Sequence, residues 1–299
     1  MKIAVKLGAM LSLLAVATGV PAQTLRVAAA ADLQYAMGEL ASQFEKQSGV
    51  KVLPTYGSSG NFRSQIQNGA PFDVFFSADS DYPRQLIEGG FADADTITVY
   101  ARGHLALWAS RDEKLDLSHR GLEALKDVRV QKIAIANPKI APYGRVAVAA
   151  LEKAGVYDAV KVKLIFGESI SQAAQFAQSG SAQVGILALS LTFAESMKNG
   201  DRWELPVNLY PPIEQAAVVV RASANKAAAR AFLEFVRSTD GRQIFEFGHT
   251  LQAGGELENA RPKNVKPGVI PRAGWLARFR FLAQIGQFEG VVNENSAAL

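Results

Sequence analysis

Cysteine is absent from this 299-residue chain. Its absence excludes disulfides, thiolate metal sites, a cysteine nucleophile and a lipid-modified N-terminal cysteine. Histidine is scarce, with only His104, His119 and His249 far apart in sequence, so a histidine-rich metal site is not expected. The Gly-x-x-x-x-Gly-Lys phosphate cradle, the His-Glu-x-x-His metalloprotease motif and the Gly-x-Ser-x-Gly nucleophile elbow are missing too. Beyond the first 22 residues no apolar run is long enough for a bilayer of about 30 Å.

What is present is the composition of an ordinary globular protein, with 48% apolar and 20% charged residues. Neither general disorder nor a multi-span membrane protein fits those fractions. The sequence pI near 9.2 hints at a nucleic-acid binder, but the charge sits at the two ends. Lys2 and Lys6 lie in the first 22 residues, and six bases against two acids follow position 259, which leaves residues 23–259 at −2. A basic face that tracks phosphates is therefore not expected, and neither is a nucleic-acid partner.

Residues 1–22 combine two lysines, the short apolar run Leu7–Val20 and the small-residue ending Val20-Pro21-Ala22. That is the pattern of a secretory signal peptide, with cleavage expected after Ala22 and function outside the cytoplasm. Strands and helices then alternate. Leu25–Ala29 reads as a buried strand, Asp32 as the N-cap of a helix carrying Leu33, Met37, Leu40 and Phe44, and Gly49 as its stop. Strands at 50–56 and 73–77 follow, each leading into a helix, and Asp79 and Asp81 read as a solvated helix cap. Two consecutive strands, 97–100 and 104–109, interrupt the rhythm. Alternation resumes with strands at 132–136, 161–166 and 184–187, a strand at 216–221, and helices at 226–237 and 241–247. The expected fold is α/β, with two lobes, each a mixed sheet flanked by helices, and a ligand cleft between them. Lobe I is expected from 23–100 plus 217–258 and lobe II from 101–216. Residues 259–299 form a basic extension: a linker at 261–271, then either an amphipathic helix over Trp275–Ile285 or an appendage.

Four strand-to-helix junctions carry small or neutral hydrogen-bonding residues: Ala30-Ala31-Asp32, Ser58-Ser59-Gly60-Asn61, Pro142-Tyr143-Gly144 and Glu168-Ser169-Ile170-Ser171. A helix start offers unpaired N–H groups and a positive dipole end, so several aimed at one cleft make an anion site. Taken singly, each reads first as a plain helix cap, since Ser and Asp cap helices everywhere.

Four segments, Val27-Ala-Ala-Ala-Ala-Asp-Leu33, Tyr56-Gly-Ser-Ser-Gly60, Gly69-Ala-Pro-Phe-Asp-Val-Phe-Phe-Ser-Ala-Asp79 and Ala136-Asn137-Pro138 with Pro142-Tyr143-Gly144, resemble the periplasmic molybdate-binding proteins of bacterial ABC transporters. The similarity runs in order from about Leu25 to Thr250. It implies a tetrahedral oxyanion held between the lobes by neutral hydrogen bonds, without a cofactor or a metal beyond that of the oxyanion. By that resemblance Ser59 donates hydroxyl and backbone N–H, Ile170 a backbone N–H, and Tyr143 a backbone N–H or its hydroxyl. Asp32 stands where a serine or asparagine would, and Ala188 where some members have a donating tyrosine. The resemblance also implies molybdate and tungstate as ligands, a membrane permease as partner, a monomer, and no enzymatic activity. Another oxyanion such as sulfate or phosphate is the alternative ligand, and a serine hydrolase using Ser58 or Ser59 is the alternative of another class.

Overall fold

A computed structural model describes residues 23–250. The expected signal segment and the basic extension lie outside the described residues. Strand β1 (Thr24–Ala30) runs through one 3-10 turn, Ala31–Leu33, into α1 (Gln34–Ser48). Then come β2 (Lys51–Gly57), α2 (Ser59–Gln67), β3 (Val74–Ser77), α3 (Asp81–Glu88), β4 (Thr98–Gly103) and β5 (Leu105–Ser110). The short helix α4 (Leu117–Arg120) precedes β6 (Ile133–Ala136), α5 (Pro142–Lys153), α6 (Tyr157–Val160), β7 (Leu164–Gly167), α7 (Ile170–Gln178) and β8 (Val184–Ala188). The chain continues with β9 (Gly200–Glu204), β10 (Ile213–Val219), α8 (Lys226–Arg237) and α9 (Thr239–Thr250).

These strands form two five-stranded sheets, β2-β1-β3-β10-β4 and β7-β6-β8-β5-β9. In the first, β1 pairs in parallel with β2 and β3, while β10 runs antiparallel to β3 and β4. In the second, β6 pairs in parallel with β7 and β8, while β5 runs antiparallel to β8 and β9. The expected two-lobed α/β architecture with mixed sheets is the one the chain adopts. The crossings differ from those expected from sequence: β4 and β10 belong to the first sheet along their whole length, so positions 100 and 216 fall inside strands. Only His104 separates β4 from β5, and residues 205–212 carry the return. Strand β9 was not expected, because Gly-Asp-Arg-Trp-Glu is an edge strand with mostly exposed side chains and little apolar signal.

Alternation along β3 sets the cores of the first lobe. Phe76 packs with Met37, Leu40, Phe44 and Phe232 on one face, whereas Phe75 packs with Phe62, Leu86 and Val218 on the other. Phe232 stacks at 5.0 Å from Phe44 and 5.8 Å from Phe76, which fixes α8 against α1 and the sheet. Each such buried side chain contributes about 1.5–3 kcal/mol of burial. The second lobe has its own core around Leu107, Ile133, Ile135, Leu151 and Ile186, and Ala30, Ala31 and Ala78 of the first lobe join it. Those three alanines mark one place where the lobes touch, at the C-terminal ends of β1 and β3.

Candidate functional site

Parallel strands aim their C-terminal ends, and the helix starts that follow, toward one edge of a sheet. Here β1 and β2 deliver the Ala31–Leu33 turn and α2, while β6 and β7 deliver α5 and α7. The two edges face each other. The Gly60 N–H at the start of α2 donates to the Ile140 carbonyl just before α5 at 2.9 Å. The Ser190 hydroxyl donates to the Asp32 carbonyl at 3.1 Å, and α7 packs on the turn that holds Asp32. Gln215 of β10 ties the group together, its Nε2 donating to Asp32 Oδ2 at 2.5 Å and to the Tyr143 hydroxyl at 3.0 Å. All four residues expected at the site are buried here: Asp32 is 5%, Ser59 1%, Tyr143 3% and Ile170 4% exposed.

The first turn of each helix has a small inventory of donors. In α2, Asn61 N–H donates to the Ser58 hydroxyl, Phe62 N–H to the Ser58 carbonyl and Gly60 N–H to Ile140, which leaves the Ser59 N–H without an acceptor among the described residues. The Ser59 Oγ accepts from Ala78 N–H at 3.0 Å, so its own proton is free to be donated elsewhere. In α5, Pro142 has no N–H, and Gly144 and Arg145 both donate to Ala141 O, which leaves that of Tyr143. In α7, Gln172 N–H donates to the Ser169 hydroxyl and Ala173 N–H to its carbonyl, which leaves Ile170 and Ser171. Three helix starts therefore keep donors unspent, and dipole and N–H alike favour an anion there.

Asp32 departs from the sequence expectation. It is not a helix cap: Leu33 precedes α1 with no side-chain hydrogen bond to its first turn. The carboxyl turns instead to Gln215, with the Tyr143 hydroxyl beside it. Gln215 offers it a buried amide donor there. Burial pushes the Asp32 pKa up to about 6, with Gln215 and Tyr143 only partly offsetting it. Burial likewise holds the Tyr143 hydroxyl well above its usual range, so it stays protonated and able to donate. Gly103 makes room for it, since a Cβ at that position would collide with the Tyr143 hydroxyl.

Sequence reasoning missed three participants. Gln215 carried no motif; its one signal is an amide leading the otherwise apolar strand Ala216–Val219. Arg145 and Tyr82 carried none. Arg145 Nη2 pairs across the lobes with Asp79 Oδ2 at 2.5 Å, Nη1 donates to the Tyr82 hydroxyl at 3.1 Å, and the guanidinium lies 5.2 Å from the Tyr82 ring centre. Asp79 does cap α3, accepting from Tyr82 N–H at 3.1 Å, but it is mostly buried rather than solvated. Burial raises its pKa against the lowering effects of Tyr82, Ser77 and Arg145. Ala188 is fully buried at the end of β8 and supplies no donor side chain. Among the described residues no cluster of three or more His, Asp or Glu is placed to hold a metal ion. None of the described helices is long and apolar enough to cross a membrane.

Known proteins resemble this chain in sequence and in fold. Residues 25–247 match the model of a family described as bacterial extracellular solute-binding protein. The molybdate-binding protein of Azotobacter vinelandii is 40% identical over 233 residues, 77% of this chain and 91% of its own length. That of Rhodobacter capsulatus is 37% identical, covering 75% of this chain and 87% of its own. The chain belongs to the bacterial extracellular solute-binding family, in its molybdate-binding branch. The solved Azotobacter vinelandii periplasmic molybdate-binding protein superimposes with a TM-score of 0.70 at 35% identity, over 75% of this chain and 97% of its own.

Proposed function

We propose that this protein captures molybdate, and tungstate with it, outside the cytoplasm and delivers it as a monomer to an ABC permease. Residues 1–22 are then the signal removed on export. The anion lies between the lobes, held by the N–H groups of Ser59, Tyr143 and Ile170, the Ser59 and Tyr143 hydroxyls, and Asp32. The observation that carries this reading is the set of unspent N–H donors at three helix starts, joined across the lobes through Gly60 and Ile140. The named relatives support molybdate as the cargo.

Neutral donors suit a carrier. Fixed dipoles in a dry cleft stabilise a dianion without a paired cation, and the anion leaves when the lobes part. Nanomolar affinity needs about −12 kcal/mol. Roughly six charge-assisted hydrogen bonds at about 1.5–3 kcal/mol each reach that before the costs of ordering are met. A thermal-shift series with molybdate, tungstate, sulfate and phosphate tests the assignment. Molybdate at a hundred times its Kd adds about 2.7 kcal/mol, which raises Tm by about 5–10 °C. A shift with sulfate or phosphate and none with molybdate overturns it.

A further inference from the structure

The Asp32 carboxyl is an unusual group to find beside an anion site. One oxygen, Oδ2, is occupied by Gln215 Nε2. The other, Oδ1, is buried and has no hydrogen-bond partner among the described residues. The Gln215 amide is held on both sides, because the same Nε2 also donates to the Tyr143 hydroxyl at 3.0 Å. The carboxyl therefore has one fixed face and one open face, and it sits where the Ala31–Leu33 turn meets α7 and the 189–193 turn.

Among the described residues the surroundings of Asp32 supply no positive charge. Gln215 of β10, Tyr143 of α5 and Ser190 of the second lobe are neutral, and Tyr100 of β4 is kept protonated by burial. Tyr100 spends its hydroxyl on the Ser77 carbonyl at 2.9 Å. The interlobe cation Arg145 is engaged with Asp79 and Tyr82, and His104 between the lobes is paired with Glu204 at 2.9 Å. An ionised Asp32 next to a dianion would leave a net negative pair in a dry cleft, where repulsion between like charges is strongest. A protonated Asp32 instead gives the unpartnered Oδ1 a proton to donate.

Resting on the oxyanion-binding reading above, we propose that Asp32 enters the occupied cleft as a neutral carboxylic acid, whose Oδ1–H donates to the bound oxyanion. Above about pH 6 each anion captured then takes up one proton from solvent. The free carboxylate gains that proton as the lobes close, and it loses it to solvent when the anion leaves. Gln215 is the positioning residue: by occupying Oδ2 it assigns the proton to Oδ1. The raised pKa of Asp32, about 6, agrees with a group held close to this transition.

Calorimetric titration of molybdate in buffers of different ionisation enthalpy reads the proton directly. The expected uptake is close to one proton per anion at pH 8, falling toward zero at pH 5, where Asp32 is already protonated. Affinity is level below pH 6 and weakens by about tenfold per pH unit above it. Asp32→Asn mimics the acid, with its carbonyl facing Gln215 and its amide facing the anion. The variant is expected to bind without proton uptake, as tightly as the parent at pH 5 and at least about tenfold more tightly at pH 8. Parent binding with no uptake at pH 8 overturns the proposal and leaves the binding function standing. Loss of binding in folded Asp32→Asn, judged by a ligand-free Tm at pH 5 no lower than the parent's, also overturns it, since the proton would then belong to the anion. Absence of molybdate binding in both proteins at every pH overturns the functional reading instead.

Discussion

Ser59 keeps its hydroxyl proton available because Ala78 N–H already occupies the oxygen. Ser59→Ala removes a charge-assisted donor and strands that buried N–H at once. Molybdate affinity is expected to fall by about tenfold to a hundredfold, with a stability cost of about 1–3 kcal/mol from the unpaired donor. Titration calorimetry and a denaturant melt check the two effects, and unchanged affinity removes Ser59 from the site. Asp32 acts on stability as well as binding. Its folded pKa, about 6, lies above the unfolded 3.8, so between those values the folded chain holds the extra proton. The contribution of this group to stability is therefore fullest below about pH 4 and is lost as pH rises through 6. Asp32→Asn abolishes that decline and stabilises the ligand-free protein by up to about 3 kcal/mol at pH 7 and not at all near pH 4. Melts at the two pH values, in the absence of molybdate, test this.

Closure of the cleft depends on how near α2 can come to the segment before α5. Gly60 sets that distance: a Cβ there would lie 2.6 Å from the Ile140 carbonyl oxygen and 2.8 Å from the Tyr82 hydroxyl. The same Gly60 lies in the first turn of a helix, where alanine is preferred by about 1 kcal/mol. Gly60→Ala is thus expected to weaken molybdate binding by more than about tenfold while leaving the ligand-free Tm unchanged or slightly raised. A fall in both would mean that the lobes are already pressed together without ligand. The Arg145 pairing with Asp79 and Tyr82 spans the same gap beside Gly60, so closure is fastened by a charge pair as well as by the anion.

At the scale of the whole molecule, two lobes are joined through one residue at His104 and one return at residues 205–212. Apart from these crossings the lobes meet through side-chain packing and hydrogen bonds, as at Ala30, Ala31, Ala78 and Gly60. Every residue assigned to the site lies between positions 32 and 215. A chain ending at Glu258 is accordingly expected to bind molybdate with unchanged affinity. Calorimetry on the shortened protein decides, and a large loss would mean that residues 259–299 reach the cleft.

The amino-acid order by itself determined the α/β alternation, because buried parallel strands read as apolar runs and helix starts as Ser, Asp, Gly or Pro. It also marked the junctions at Ser59, Tyr143 and Ile170, since capping is a local affair of a few neighbouring residues. It did not show that Asp32 leaves its own helix uncapped, nor that Gln215 lies against it from 183 residues away. The pairing of Arg145 with Asp79 and the contact of Gly60 with Ile140 were equally invisible. Those are long-range contacts, set by how two separately folded sheets meet. The charge state of Asp32 belongs with them, because burial is created only when distant segments close over the carboxyl.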